Sequence, residues 1–175
     1  CLSVIKDVFP EIPRNSLPTY IHIMNQTGLS YNYMRLTDLA MNYYTKALDI
    51  AQKNNLNEEE AILCNNIASI FQTQKKYDES DSLFKRAIII NEELKVPQRL
   101  FVNYNNLSVN YAHKKDYNKA LEYAFLAVHQ LDAARDSDMI ILMQRNIGSI
   151  YLKQKEPRMA LQLLKQVEDY QLKHH

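Results

Sequence analysis

MNQTGLSY (24–31), CNNIASIF (64–71), YNNLSVNY (104–111) and QRNIGSIY (144–151) are four versions of one segment, set 40 residues apart without a gap. The register holds beyond them. Ala40, Ser80, Ala120 and Ala160 fall in one column, Ala47, Ala87, Ala127 and Val167 in another, and Tyr31, Phe71, Tyr111 and Tyr151 form an aromatic column before both. A fixed period of this length marks stacked supersecondary units, each too small to bury its apolar face alone.

Each copy reads as two helices. In the third, Leu107 and Tyr111, then Leu121, Ala124, Val128 and Leu131, recur at the i, i+3/i+4 spacing of a helix face. Pro18, Pro97 and Pro157 suit first-turn positions, where no N–H is needed, and Asn57 with Glu60 has the pattern of a capping box. The polar turns KKYD (75–78), KKDY (114–117) and KQKEP (153–157) separate the two helices of a copy, with lysines complementing the negative end of the first. Small residues at Gly28, Ala68, Ser108 and Gly148 admit a neighbouring helix backbone, while Tyr44, Phe84, Ala124 and Leu164 fill the space beside them. The prediction is an all-α chain, a right-handed α-α solenoid of about four hairpins near 18–56, 57–96, 97–136 and 137–173. Residues 1–17 read as a remnant helix or cap, and His174–His175 as a tail or the trace of a tag. No polar helix follows the last copy, which suggests a fragment of a longer protein or a chain that pairs through that end.

Composition narrows the function. A net charge of +1, with both signs mixed along the chain, lacks the concentrated basic face that nucleic acid requires. No apolar run approaches the ~20 residues of a membrane-spanning helix. Cys1 and Cys64 make neither a disulfide framework nor a zinc site. A cytoplasmic setting is the default. A periplasmic or lipid-anchored one follows if Cys1 is a native mature N-terminus, so the compartment stays open.

A small residue, an aromatic three later, Ala nine after that, an aromatic four later and Ala three later resembles the tetratricopeptide repeat, most fully in Gly28, Tyr31, Ala40, Tyr44 and Ala47. Met24, Cys64, Tyr104 and Gln144 stand where that repeat usually has tryptophan, and the period is 40 where the common form has about 34. Long-repeat variants, as in kinesin light chains and bacterial peptide-sensing regulators, are similar over residues 18–173. The resemblance implies that first helices line a concave, ligand-holding groove.

Two columns of the first helix are not needed for packing: Asn25, Asn65, Asn105 and Arg145, then Gln26, Asn66, Asn106 and Asn146. Asparagine is a middling helix former, so its repetition mid-helix calls for a reason. One reason is an amide ladder that meets the main chain of an extended peptide, as peptide-binding relatives do. The other is bonding between neighbouring repeats, or simple hydration, and both stay open. Arg145 and Lys153 lie two turns apart on one helix and, with His22 and His113 at other groove-side positions, suit a carboxylate. Tyr33 and Gln72 add contacts toward the turn end.

Catalysis finds no constellation. Both glycines belong to the packing column, His113 and His129 lie sixteen apart on different helices, Cys64 sits in the packing face, and Glu58–Glu60 open a helix whose dipole accounts for them. The expectation is a non-catalytic domain without cofactor or metal. It binds a peptide or protein, as the sensing or scaffolding part of a larger signalling or regulatory protein. The alternative is a self-association module forming a homodimer through the C-terminal repeat, with Met159, Leu163 and Leu172 at the contact.

Overall fold

The computed structural model describes residue 13 and residues 16–131, 137–163 and 165. Its regular elements, among the described residues, are all helices: α1 (Leu17–Tyr33), α2 (Thr37–Lys53), α3 (Asn57–Thr73), α4 (Tyr77–Glu93), α5 (Pro97–His113), α6 (Tyr117–His129) and α7 (Ser137–Lys153). Residues 157–163 are helical again. Helices begin every 20 residues, so the 40-residue period is two equal half-periods, and α6 with 13 residues is the one shorter than 17.

The half-period comes from one joint used repeatedly. Arg35, Asn55, Lys75, Lys95, Lys115 and Lys155 have φ between 54° and 65°, the left-handed region, and each follows a helix end by two residues. At the first of these joints Arg35 N donates to Asn32 O and Leu36 N to Tyr31 O; at the third Lys75 N donates to Gln72 O and Lys76 N to Phe71 O. The same pair of bonds recurs at the other four. This is the Schellman closure, which satisfies carbonyls that a helix end leaves without partners. The residue after the left-handed one then serves as N-cap of the next helix, so each turn has three residues. Turns therefore occupy 74–76, 114–116 and 154–156, each ending before its polar run does, and Tyr77, Tyr117 and Pro157 are already helical. The capping box at Asn57 is not formed. Leu56 O accepts the first bond, from Glu60 N, which makes Asn57 the first helical residue; Glu60 is buried and accepts from Gln52 Nε2 at 3.1 Å.

Left-handed backbone costs a side-chain-bearing residue about 1–2 kcal/mol, and asparagine less than lysine. Lys75→Gly and Lys115→Gly should each raise stability by about 0.5–1 kcal/mol, after allowing for the greater freedom glycine gives the unfolded chain. Urea denaturation checks this, and Asn55→Gly should gain less. A fall in midpoint for both lysine variants would show that the joints are held by something other than backbone conformation.

Packing follows the columns. Ala40, Ala47, Ala68, Ser80, Ala87, Ala120 and Ala127 are fully buried, and Ser108 and Ala160 nearly so. Val167 and Leu164 fall outside the described side chains. The chain forms two compact units, 1–67 and 68–175, that divide within α3. In the first unit Ile21, Met24 and Tyr44 are buried, and the Tyr44 ring lies across Gly28. Burial, with the nearby Tyr33 phenol second, pushes the Tyr44 hydroxyl up to about 12, so the ring is neutral at ordinary pH. In the second unit Phe84, Leu107, Tyr111, Ala124, Met143 and Ile147 build the apolar cluster.

A polar network crosses that second core. Asn110 Nδ2 donates to Asp81 Oδ1 (2.6 Å) and Ser80 Oγ (3.0 Å), Gln72 Nε2 donates to Asn110 Oδ1 (2.8 Å), and Lys114 Nζ reaches Asp81 (3.1 Å) and Asp78 (2.7 Å). Ser80 Oγ in turn donates to Ala68 O at 2.9 Å, tying α4 to the end of α3. Buried polar groups are tolerated when partnered in this way.

Candidate functional site

In the first unit, α1 and α3 flank an open cleft of about 380 Å³, floored by Ile21 and Leu63 and edged by Pro18, Ile62 and His22. Asn25 lines it and is 8% exposed; its Oδ1 accepts from Asn66 Nδ2 at 2.7 Å. Asn65 Nδ2 makes a longer contact to Asn66 Oδ1, 3.4 Å. Of the two roles open to these amides, Asn25 and Asn66 perform the bond between repeats, while Asn65 and Asn66 remain half-exposed. Gln26 is exposed and lies outside the cleft lining. His22 lines the same cleft as Glu58 and Glu59 of the first turn of α3. The basic surroundings anticipated for His22 are therefore acidic here. Sequence reading gave those glutamates to the helix dipole alone, although their place four and three residues, one helical turn, before Ile62, the equivalent of His22 in α3, was a usable signal.

In the second unit, α5 and α7 enclose a smaller cavity of about 110 Å³ that brings His113, Asn146 and Lys153 together with Ser108, Ser149 and Ile150. The His113 ring is held by stacking on Tyr77, 5.4 Å between centroids and 8° from parallel. Asn146 Nδ2 approaches Asn105 Oδ1 at 3.5 Å, the same pairing across 41 residues that joins Asn66 to Asn25. Asn105 and Asn106 are half-exposed, and the Asn106 carbonyl accepts from Gln72 Nε2 (3.0 Å). Gln72 is thus occupied inside the second unit, whereas Tyr33 stands 86% exposed. Arg145 is exposed and does not line the cavity, although it shares α7 with Lys153. Ser108 and Ser149 were not singled out from sequence because one is a packing position and serine carries little signal.

Tyr123 of α6 stacks on both Tyr104 and Tyr111 of α5, with Lys114 and Lys119 over the Tyr111 ring at 5.0 and 5.3 Å. Tyr104 Oη donates to Glu92 (2.7 Å); burial foremost, and then that bond, push its phenol well above the usual range. These contacts tie α5, the helix that carries His113, to α6 and to the end of α4. Cys64 is buried, and no helix among the described residues is long and apolar enough to cross a membrane. Met159 is 46% exposed, but Leu163 packs against the second core and is not an open contact; Leu172 lies outside the described residues.

Comparison with known proteins agrees with this architecture. Tetratricopeptide repeat models match residues 58–124 and 21–54. No curated protein matches the chain in sequence. Among solved structures, BtubC (BKLC) from P. vanneervenii is similar at a TM-score of 0.80 and 22% identity, over 96% of this chain and 68% of that one. The apo form of RapI follows at 0.79 and 19%, over 94% of this chain and 58% of its own length. A putative kinesin light chain of nearly identical TPR-like repeats from Podosopora anserina gives 0.74 and 18%, over 89% and 76%. With the joints, the buried small columns and these matches together, the chain belongs to the tetratricopeptide repeat proteins.

Proposed function

We propose that this chain is a non-catalytic domain that holds a peptide or partner protein on the outward faces of its first helices, as the sensing or scaffolding part of a larger signalling or regulatory protein. The observation that carries the reading is the convergence of His113, Asn146 and Lys153 on one open cavity of the second unit. The Lys153 ammonium, the His113 imidazole and the Asn146 amide, on helices rather than loops, suit a carboxylate and a main-chain amide of a bound segment. The His113 ring is already held by Tyr77, which lowers its ordering cost on binding.

The test is affinity capture from the native cell extract, with the whole chain beside Asn146→Ala/Lys153→Ala. Both side chains are partly exposed, so helicity by circular dichroism should be unchanged while capture falls by tenfold or more, about 1.4 kcal/mol. Equal capture by both chains removes the α5–α7 face from the account. Capture of the chain by itself alone would favour self-association, for which exposed Met159 and Leu161 are the available contacts.

A further inference from the structure

The six joints are alike in backbone, and the small and large columns repeat from hairpin to hairpin. Packing alone therefore barely separates the native neighbour of a helix from the equivalent helix one repeat away. One pair of columns breaks the repetition. In the 40-residue register Ala51, Asn91 and Leu131 share one column, and Leu63, Asn103 and Met143 share another. Ala51, Leu63 and Met143 are buried, and Leu131 packs against the second core. Asn91 of α4 and Asn103 of α5 put two amides in these apolar places, each 1% exposed, and Asn91 Nδ2 donates to Asn103 Oδ1 at 2.9 Å. Stability does not explain them. Asn91 Oδ1 has no hydrogen-bond partner among the described residues, and a buried acceptor in that state is costlier than an apolar side chain in its place.

We infer that Asn91 and Asn103 fix which helices pair, both within one chain as it folds and between two copies of it. By the register, α4 laid against α7 would set Asn91 on Met143. In the same way α2, or the end of α6, laid against α5 would set Ala51 or Leu131 on Asn103. Each wrong pairing buries an amide with no amide facing it. Only α4 against α5 brings donor to acceptor, so the pair penalises the alternatives more than it stabilises the native fold. The inference is independent of any ligand on the α5–α7 face.

The experiment uses the whole chain with Asn91→Ala, with Asn103→Leu and with both, which copies the residues found at 51 and 63. Urea denaturation reads stability, and size-exclusion chromatography with light scattering after dilution from urea reads how many species form. Each single variant should lower the urea midpoint, because it strands the remaining amide, whereas the double variant should match or exceed the wild-type midpoint. On refolding, the double variant should leave about tenfold more chain in dimers and larger species than the wild type does, the population shift set by one buried amide losing its partner. A midpoint that holds or rises while uniqueness falls is the mark of pairing control, since a plain stabilising contact would move both the same way. A double variant that refolds as cleanly as the wild type overturns the inference. So does one that is less stable than both single variants or does not fold, because the amides would then be a stabilising contact and nothing more.

Discussion

Gly28→Ala should cost about 2 kcal/mol of stability, the balance of about 3 kcal/mol of overpacking against about 1 kcal/mol gained in helix propensity. Propensity alone predicts the opposite sign. A Cβ at this position would stand 2.5 Å from Tyr44 Cε1, 2.8 Å from Cδ1 and 3.0 Å from Cζ, inside van der Waals contact with a ring that is 1% exposed. The ring has nowhere to retreat without displacing α2 from α1. Urea denaturation followed by tyrosine fluorescence reads the loss, and the cycle with Tyr44→Leu separates its cause. Tyr44→Leu alone opens a cavity and destabilises by about 2–3 kcal/mol. In the double variant the new methyl occupies part of that space, so the two losses should fall short of their sum by at least about 1 kcal/mol. Additive losses would mean that the clash is relieved elsewhere and that the Gly28 column is not a packing requirement.

Asn110→Ala should be comparably severe, about 2–4 kcal/mol, because it leaves three partners short at once, two of them, Ser80 and Asp81, buried. Asp81 loses its 2.6 Å donor, Ser80 Oγ loses one donor, and Gln72 Nε2 loses one acceptor. Asp81 is 6% exposed at its side chain, so water cannot take over. The contrast lies at the outer end of the same network. Asp78 is 88% exposed, and Asp78→Asn should leave the urea midpoint nearly unchanged at neutral pH. Lys114 holds the Asp78 carboxyl below its ordinary range, and that stabilisation is present at neutral pH and disappears as pH falls through the folded-state value. Asp78, with Asp81 after it, raises the Lys114 ammonium above its ordinary range, so its share is complete below about pH 10.4 and is lost only as pH rises beyond. Asn110 does not titrate, so its loss should persist across that whole window. A loss confined to acid pH would show that the ion pair, not the amide, organises the network.

Much of the fold was legible because packing writes columns. Gly28, Ala40 and Ala47 must be small whatever surrounds them, and their equivalents 40 residues on obey the same limit. The 20-residue half-period was hidden because the left-handed positions lack the glycine that ordinarily reveals them. Arg35, Asn55 and four lysines occupy it, and lysine near a helix end already has a dipole rationale. Among site residues, His113, Asn146 and Lys153 were reachable from the repeat register and do converge. Asn25 could not be separated from Asn65 by sequence, because the difference between them is burial created by a neighbouring helix. Glu58 and Glu59 were visible but already explained by the helix dipole, and their place in the cleft beside His22 needed the three-dimensional structure.

The three-residue joint has a consequence for how such a chain can change in length. Since one residue ends a helix and begins the next, and since the backbone is the same at all six places, removal of the 40-residue segment 57–96 would join Leu56 to Pro97, two ends already shaped for each other. Unequal crossover at equivalent codons, which would wreck most folds, here deletes or duplicates a whole hairpin and leaves every remaining joint intact. Recombination, rather than the slow shaping of new loops, is the inexpensive route by which this architecture gains or sheds binding surface.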